Sequence, residues 1–527
     1  MPWTAALGPV DWAEEQFGSV QLGDRRLNRR VVQVAAAMAA DPAGSIPKQN
    51  RTWNTTKGAY RLFDHERTTF ESVSEPCWRR TRTQCGMPAA GAAASAASVT
   101  LLLQDTTWVD YATHPHTRGL GWHGRCAQHP RGGRGLFLHS VLAVEPTPTA
   151  GSSSSSGRVI GLAWGKLWVR DGEPINHDPQ RRNRRRRSDD RESLRWSEAV
   201  KQVGSPPAPP SSPATDPASS SPSPSPSPSR WIHVGDRESD MFSLYEQTRA
   251  MNGVGFVVRV FRERNATAGH DTPETQTIKQ RRSSSLKDIC RAMPALGGKQ
   301  LWIAPKAAKP GQQTGVADRP GGGGRWANLS VSGGAVTLWS PQLDRTGRAL
   351  RCWAVRVWEA NPPQGREAVE WILLTSEPVE HLEDAVRIAD YYALRWLIEQ
   401  YHQCLKSGCK VEERQLETAE RLEPLIGMLC AVAVRLLQLK NDARLTPDLP
   451  AQQRVPVAMV QTLSKLIDLE ADTLTVRRFT HEVAKLGGFL GRKGDGDPGW
   501  RTLWQGWREL SLIHAGYELA RAEGRYG

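Results

Sequence analysis

The stretch Ala389–Lys406, ADYYALRWLIEQYHQCLK, decides how the rest of the chain is read. It holds no Pro or Gly, and its apolar residues recur at three- and four-residue steps, which predicts a helix. Tyr392, Arg395, Glu399 and Lys406 stand at i, i+3, i+7 and i+14. At about 100° per residue they project within roughly 60–80° of one another. One face thus carries a phenol, a guanidinium, a carboxylate and an ammonium. Such a face suits a metal ion and a phosphodiester held side by side. It equally suits a solvated helix with ordinary ion pairs, so the surrounding sequence has to decide.

Two aspartates bear on that choice. Asp105 follows LLLQ in the run Ser98–Tyr111, and Asp236 follows WIHVG at the start of GDRESD. Both read as residues at the ends of buried strands, where α/β sheets place their ligands. With Glu399 they make three carboxylates that can converge. Ionised together, such groups repel and raise one another's pKa, so a convergent set calls for cations. A pair of Mg²⁺ ions about 3.5–4 Å apart answers that need and suits phosphodiester displacement. Singly, Asp105 also reads as a turn residue bonded to the following Thr-Thr, and Asp236 as an Asx turn or helix N-cap. It is their joint placement with Glu399 that favours the metal reading.

Outward from these residues the chain divides by period and composition. Residues 10–75 read as helices with basic faces. Asp24 can cap RRLNRRVVQVAAAMAA, whose first turns carry Arg25, Arg26, Arg29 and Arg30 above a stripe of Val31, Val34, Ala35 and Met38. A second helix near Thr55–Asp64 carries Lys57 and Arg61. This unit fits a DNA-reading head or a solvated basic surface. Ser98–Tyr111, Leu136–Val144 and Val159–Val169 then read as strands, Asp190–Val203 as a helix, Trp231–Val234 as a strand, Asp240–Asn252 as a helix and Gly255–Phe261 as a strand. Gly204–Ser229 is almost wholly Ser and Pro and predicts a disordered insertion. Residues 301–375 stay β-like and read as an extra block inserted before the opening helix. Beyond Glu412 the pattern is helical: Leu422–Asn441, Thr480–Leu490 and Trp500–Ala522.

The totals agree with a nucleic-acid partner. The 527 residues carry a net charge of +14, although six arginines of that excess fall within Arg181–Arg187, a run that solvation alone can explain. The eight cysteines are dispersed with no CxxC pair, which fits a reducing, cytoplasmic compartment. The N-terminal stretch MPWTAALGPVDWAEEQ lacks the pattern of a signal peptide, and Arg435 interrupts the most apolar segment, so no membrane is expected. His114, His116, His123, Cys126 and His129 cluster, but without a second Cys pair and in no common finger spacing, so they argue poorly for zinc.

Asp105, Asp236 in GDRESD, the β-rich block and Y-x2-R-x3-E-x6-K together resemble the bacterial cut-and-paste DDE transposases, and within them the insertion-sequence family with the Tyr-Arg-Glu-Lys signature. LGDRRLNRR, KGAYRLF, LHSVL, GFVVR, WILLTSEPVE, RLLQLK, LGGF and LWQGW extend the likeness over nearly the whole chain. The resemblance implies an α/β, RNase H-like catalytic core over 76–445, with a disordered insertion at 204–229 and a β-rich insertion at about 262–375. A helical DNA-binding domain over 1–75 and a helical dimerisation domain over 446–527 would flank it. It implies Asp105, Asp236 and Glu399 as a triad holding two Mg²⁺ ions, with Mn²⁺ able to substitute. Tyr392, Arg395 and Lys406 would hold phosphates of the transposon end, and Arg259 would contact DNA near the cleaved end. Trp371 would stack where a flipped base sits, with Trp396 close by, and Arg26 and Arg30 would serve the DNA-binding head. The partners implied are duplex DNA, as terminal inverted repeats and as target, and a second copy of the chain. The activity implied is hydrolysis, hairpin formation and strand transfer, in a bacterial cytoplasm at the nucleoid. Gln403 departs from the family, which can carry a further basic residue there. Two other readings stay open: a hydrolytic nuclease on the same fold, and an inactive copy that binds ends and blocks an active partner.

Overall fold

Helices open the chain because capping residues precede amphipathic runs. α1 is Pro9–Phe17, α2 is Arg25–Ala40, α3 is Ile46–Asn50 and α4 is Trp53–Phe63. Asp24 caps α2 as its sequence predicts, accepting the Arg26 N–H at 2.7 Å, and Thr52 caps α4 by accepting from Thr55 at 3.3 Å. Val31, Val34, Ala35 and Met38 are buried beneath the basic face of α2. A further helix, α5 (Phe70–Cys85), runs straight through residue 75 and buries Phe70, Val73, Cys77 and Trp78. Molecular detail comes from a computed structural model that describes residues 7–85, 98–123, 132–147, 156–170, 194–207, 229–270, 284–303, 325–340 and 349–523, apart from 365, 367, 493 and 494. The Arg181–Arg187 run, Cys126, His129 and nearly all of the Ser/Pro tract lie outside those residues.

The sheet begins with β1 (Val99–Asp110), β2 (Gly121–His123), β3 (Gly133–Thr147) and β4 (Ser156–Trp168), then α6 (Arg195–Val203), β5 (Arg230–Gly235), α7 (Phe242–Arg249) and β6 (Val254–Arg259). Apart from the short β2, this is the expected order of strands and helices. β7 (Ala266–Ala268), α8 (Leu286–Ala292), β8 (Gly297–Ile303), β9 (Arg325–Trp339), β10 (Ala349–Trp358) and β11 (Glu370–Thr375) follow. Among the described residues all eleven strands join one mixed sheet, in the order β2-β3-β1-β5-β6-β11-β10-β9-β7, with β4 on β3 and β8 on β9. β1, β5 and β6 run parallel, as crossover helices require. The arrangement is that of a mixed α/β protein with an RNase H-like core.

The β-rich stretch continues the main sheet: β11 pairs antiparallel with β6, Leu373 opposite Arg259, along an edge that would otherwise expose unpaired backbone groups. Ala389–Lys406, by contrast, is not the one straight helix that its sequence predicts. α9 (Leu382–Ala393) ends in a tight turn, α10 (Trp396–Gln403) restarts, and Cys404–Gly408 widens into a π turn. At the first joint Arg395, Leu397 and Ile398 bond back three residues, to Tyr392, Leu394 and Arg395. Tyr391, Tyr392, Leu394, Leu397 and Ile398 are all buried, and seating them on both sides of the joint outweighs an unbroken ladder. At the second, the Cys409 N–H reaches back five residues to the Cys404 carbonyl at 2.8 Å, which keeps Cys404, Leu405 and Gly408 in the core.

α11 (Ala419–Leu445) lies beneath the sheet against α5 and β4. It is long and apolar enough to cross a membrane but is mostly buried inside this fold. Its Arg435 is buried, donates to the Leu7 carbonyl at 2.6 Å and lies over Trp12, which ties the first helix to the core. α12 (Val457–Leu466), α13 (Val476–Leu486) and α14 (Trp500–Glu523) complete the chain. A Cβ on Gly506 of α14 would overlap the Val483 carbonyl of α13, so these two helices touch backbone to backbone. The described cysteines are buried free thiols.

Candidate active site

Strand register builds the site. The parallel β1–β5 ladder ends at Leu103 opposite Val234, yet β1 continues along β3 to Asp110. Asp105 therefore sits mid-strand, opposite Ser140, and not at a strand end as its sequence suggests, because the antiparallel partner outlasts the parallel one. Carrying the β1–β5 register on by two brings Asp105 level with Asp236. The β5–β6 register, Gly235 opposite Val258, brings Asp236 level with Arg259 in turn. Asp236 also caps the short 3₁₀ turn Arg237–Ser239, accepting the Glu238 N–H at 2.8 Å, so its capping and crevice-facing placements coexist.

From the helical side, Arg395 donates to Glu399 at 2.6 Å and stands 3.9 Å from Asp105 Oδ2. Its guanidinium lies 6.0 Å from the Tyr392 ring centre. Asp105 accepts the Thr106 N–H at 2.9 Å. Burial first, with Asp236 and Glu399 acting the same way, raises the Asp105 carboxyl to about 7 against the opposing pull of Arg395 and the Thr106 N–H. The three carboxylates thus share one field. Burial works against the Arg395 charge, but Tyr392, Glu399 and Asp105 outweigh it and hold its pKa above the usual value.

The donor set is oxygen-only and anionic, which fits a hard divalent cation. As arranged here Arg395 supplies the counter-charge, and among the described residues no three His, Cys, Asp or Glu groups are drawn together closely enough to grip an ion. Lys406 is set apart by the π turn. Its ammonium is 3.0 Å from Glu412, whose Oε1 also accepts the Asp110 N–H at 3.1 Å. The four signature side chains therefore do not form one straight face: Tyr392, Arg395 and Glu399 cluster, and Lys406 is held against the far end of β1.

Trp371 opens β11 with its ring edge-on to Tyr392, centres 5.1 Å apart. Trp396 is 56% exposed. Arg259 donates to the Glu370 carbonyl at 3.0 Å, next to Trp371. In the helical head Arg26 is exposed, and the Arg30 guanidinium rests on α4 where Gly58 has no side chain.

Other neighbours of the carboxylates are harder to read from sequence. His402 is buried with Nδ1 3.8 Å from Asp105 Oδ2. On the opposite sheet face runs a buried chain. Thr106 Oγ1 meets His139 Nδ1 at 2.8 Å, His139 Nε2 meets Gln104 at 3.2 Å, and Gln104 meets His233 at 2.6 Å. It ties β1, β3 and β5 together behind Asp105. The signal in the sequence is the alternation of QDT: polar residues on both sides of an Asp within a buried strand.

Three family models match the chain. Residues 9–68 match the transposase DNA-binding model, residues 233–435 the transposase DDE domain, and residues 469–527 the transposase Tn5 dimerisation domain. The chain belongs to the Tn5-type DDE transposases. The DDE match takes in Asp236, Arg259, Trp371 and the whole Tyr392–Lys406 stretch, whereas Asp105 lies upstream of it. Arg26 and Arg30 lie within the DNA-binding match. The transposase is thus a DNA-binding protein with a dimerisation domain, of an enzyme family that cleaves and transfers DNA using divalent metal ions.

Proposed function

We propose that this transposase moves an insertion sequence by cut-and-paste chemistry at a site formed by Asp105, Asp236 and Glu399. The observation that carries the reading is the convergence of these carboxylates: strand register sets Asp105 level with Asp236, and Arg395 bridges Asp105 and Glu399 at 3.9 and 2.6 Å. Asp105, Asp236 and Glu399 would hold two Mg²⁺ ions, or Mn²⁺ in their place. When bound, the ions supply Lewis-acid stabilisation of the attacking and leaving oxygens of a phosphodiester.

The chain's own groups set the strand in place. Arg395 balances the carboxylates in the free protein and turns to a phosphate of the transposon end when DNA enters. Tyr392 and Lys406 hold neighbouring phosphates, and Arg259 holds the DNA beside the cleaved end. Trp371, braced by Tyr392, stacks on a flipped base, with exposed Trp396 beside it, which lets the backbone bend into a hairpin. Water cuts one strand, the freed 3′-hydroxyl attacks the other to form the hairpin, a second water reopens it, and the 3′ ends join target DNA. Each step exchanges one phosphorus–oxygen bond for another, so one set of residues serves them all. Arg26 and Arg30 bind the terminal repeat, the C-terminal helices pair two copies, and the protein works at the bacterial nucleoid in the cytoplasm.

The test is joining of a labelled fragment, carrying the inverted repeats that flank the gene, to a supercoiled plasmid in Mg²⁺. Fragment joined to plasmid supports the proposal. Cleavage without joining makes the protein a nuclease, and a mobility shift without cleavage makes it an inactive end-binding copy.

A further inference from the structure

β6 ends at Arg259, and the turn that follows is fixed with unusual thoroughness. Asp240 is wholly buried and accepts the N–H groups of Phe261 at 2.8 Å and Arg262 at 2.7 Å. It also accepts the Tyr245 hydroxyl at 2.7 Å and a forked pair of bonds from buried Arg264, at 2.8 and 2.6 Å. Lys287 donates to the Phe261 carbonyl at 3.0 Å, and the Val260 N–H bonds to Ile372 at 2.8 Å. A buried ion pair is costly to desolvate and a weak device for stability alone. What this one fixes is an exposed tip: the Phe261 side chain is 60% exposed, and Arg262 beside it is exposed as well.

A single exposed Phe is ordinary on a protein surface. This one has its backbone locked on both sides, and it stands at a particular place. Arg259, two residues earlier, is level with Asp236 across the parallel strands. Asp240 follows Asp236 by one 3₁₀ turn. The tip therefore projects at the C-terminal edge of the parallel strands, at the mouth of the carboxylate crevice, where α/β sheets receive ligands. We propose that Phe261 and Arg262 form a preorganised DNA-contacting tip. The Phe261 ring packs on a sugar or unstacked base of the strand entering the crevice, and Arg262 meets the adjoining phosphate. Because Asp240 orders the backbone in the free protein, little ordering remains to oppose binding. The tip rests on the reading of the crevice as the DNA site.

The test places the photoreactive residue p-benzoylphenylalanine at position 261 of the full chain, and separately at exposed 396, next to Arg395, and at exposed 490 in the C-terminal region. Each protein is irradiated with a mixed-sequence duplex of about 40 base pairs at low salt, where phosphate contacts dominate affinity. Crosslinks from 261 and 396 but not from 490 support the tip. A crosslink from 396 without one from 261 overturns the tip and leaves the crevice reading standing. Absence of both overturns the tip together with that reading. In parallel, Phe261→Ala should weaken duplex binding roughly fivefold while Phe261→Trp retains it. Arg262→Ala should lower the slope of log affinity against log salt by about one. Unchanged affinity in Phe261→Ala and an unchanged slope in Arg262→Ala contradict the proposal.

Discussion

Arg395 donates from Nη2 to Glu399 Oε1 at 2.6 Å, across a single turn of α10. The same guanidinium is 3.9 Å from Asp105, so one cation balances carboxylates from two separate parts of the chain. Removing it leaves Asp105 and Glu399 with less compensation and raises the Asp105 carboxyl further, since Arg395 is the strongest influence holding it down. Arg395→Ala should slow single-turnover strand cleavage on the order of 10²- to 10³-fold, as loss of a positioned charge in an active site does. Arg395→Lys keeps the charge but not the planar fork, and should recover only about tenfold of the loss. A lysine variant as fast as the wild type would show that geometry contributes nothing beyond charge.

The buried histidines behind the site make stability pH-dependent. Burial drives His139 and His233 down to about 3 from an ordinary 6.5, so the folded chain binds fewer protons than the unfolded chain between those values. Stability is then fully present above pH 6.5 and lost as pH falls through that window. At pH 5 each histidine accounts for about 2 kcal/mol of lost stability, from 1.36 kcal/mol per unit. Asp105, whose carboxyl is raised to about 7, acts in the opposite sense over the same window, so the histidine contribution is read from urea unfolding of wild type and a histidine variant compared at pH 7.5 and pH 5. His233→Asn, which can still bond to Gln104, should lose about 2 kcal/mol less than the wild type between those pH values.

Gln403 is exposed on the last turn of α10, four residues beyond Glu399. A lysine fits there without repacking and adds a cation on the side where DNA is proposed to lie. Gln403→Lys should tighten duplex binding severalfold and steepen the salt slope by about 0.9, one phosphate contact. Anisotropy titrations at several salt concentrations measure both. Tighter binding with no change in slope would place the new charge away from phosphate.

Much of this was legible in the sequence, and the exceptions have physical causes. The parallel core could be read because its strands are short apolar runs bounded by turn residues, and the Arg395–Glu399 pair because i,i+4 spacing survives any helix. The break at Leu394–Arg395 could not, since no Pro or Gly marks it and it follows from burying side chains on both sides. Nor could the level of Asp105, which depends on β3 outlasting β5 as a partner. GDRESD holds two aspartates four residues apart. One faces the crevice and the other is buried only because Arg264, 24 residues on, comes back to meet it.

In the head, Gly58 is a close-packing position. A Cβ there would stand 2.8 Å from the Arg30 guanidinium carbon, so Gly58→Ala must displace Arg30. Alanine favours the helix by up to about 1 kcal/mol, so the fold should hold. Duplex binding by Gly58→Ala should fall as far as in Arg30→Ala, and the double variant should be no worse than either single one. Additive losses would mean that the two residues act separately.

The most direct measurement compares the wild-type chain with Asp105→Asn, Asp236→Asn and Glu399→Gln in the joining of a pre-cleaved terminal fragment to plasmid DNA, in Mg²⁺ and again in Mn²⁺. Duplex binding is followed alongside to confirm that each variant is folded. A working triad of Asp105, Asp236 and Glu399 gives joined product from the wild type, with joining lost in all three variants and duplex binding intact. Strand transfer that survives in Asp236→Asn would contradict it.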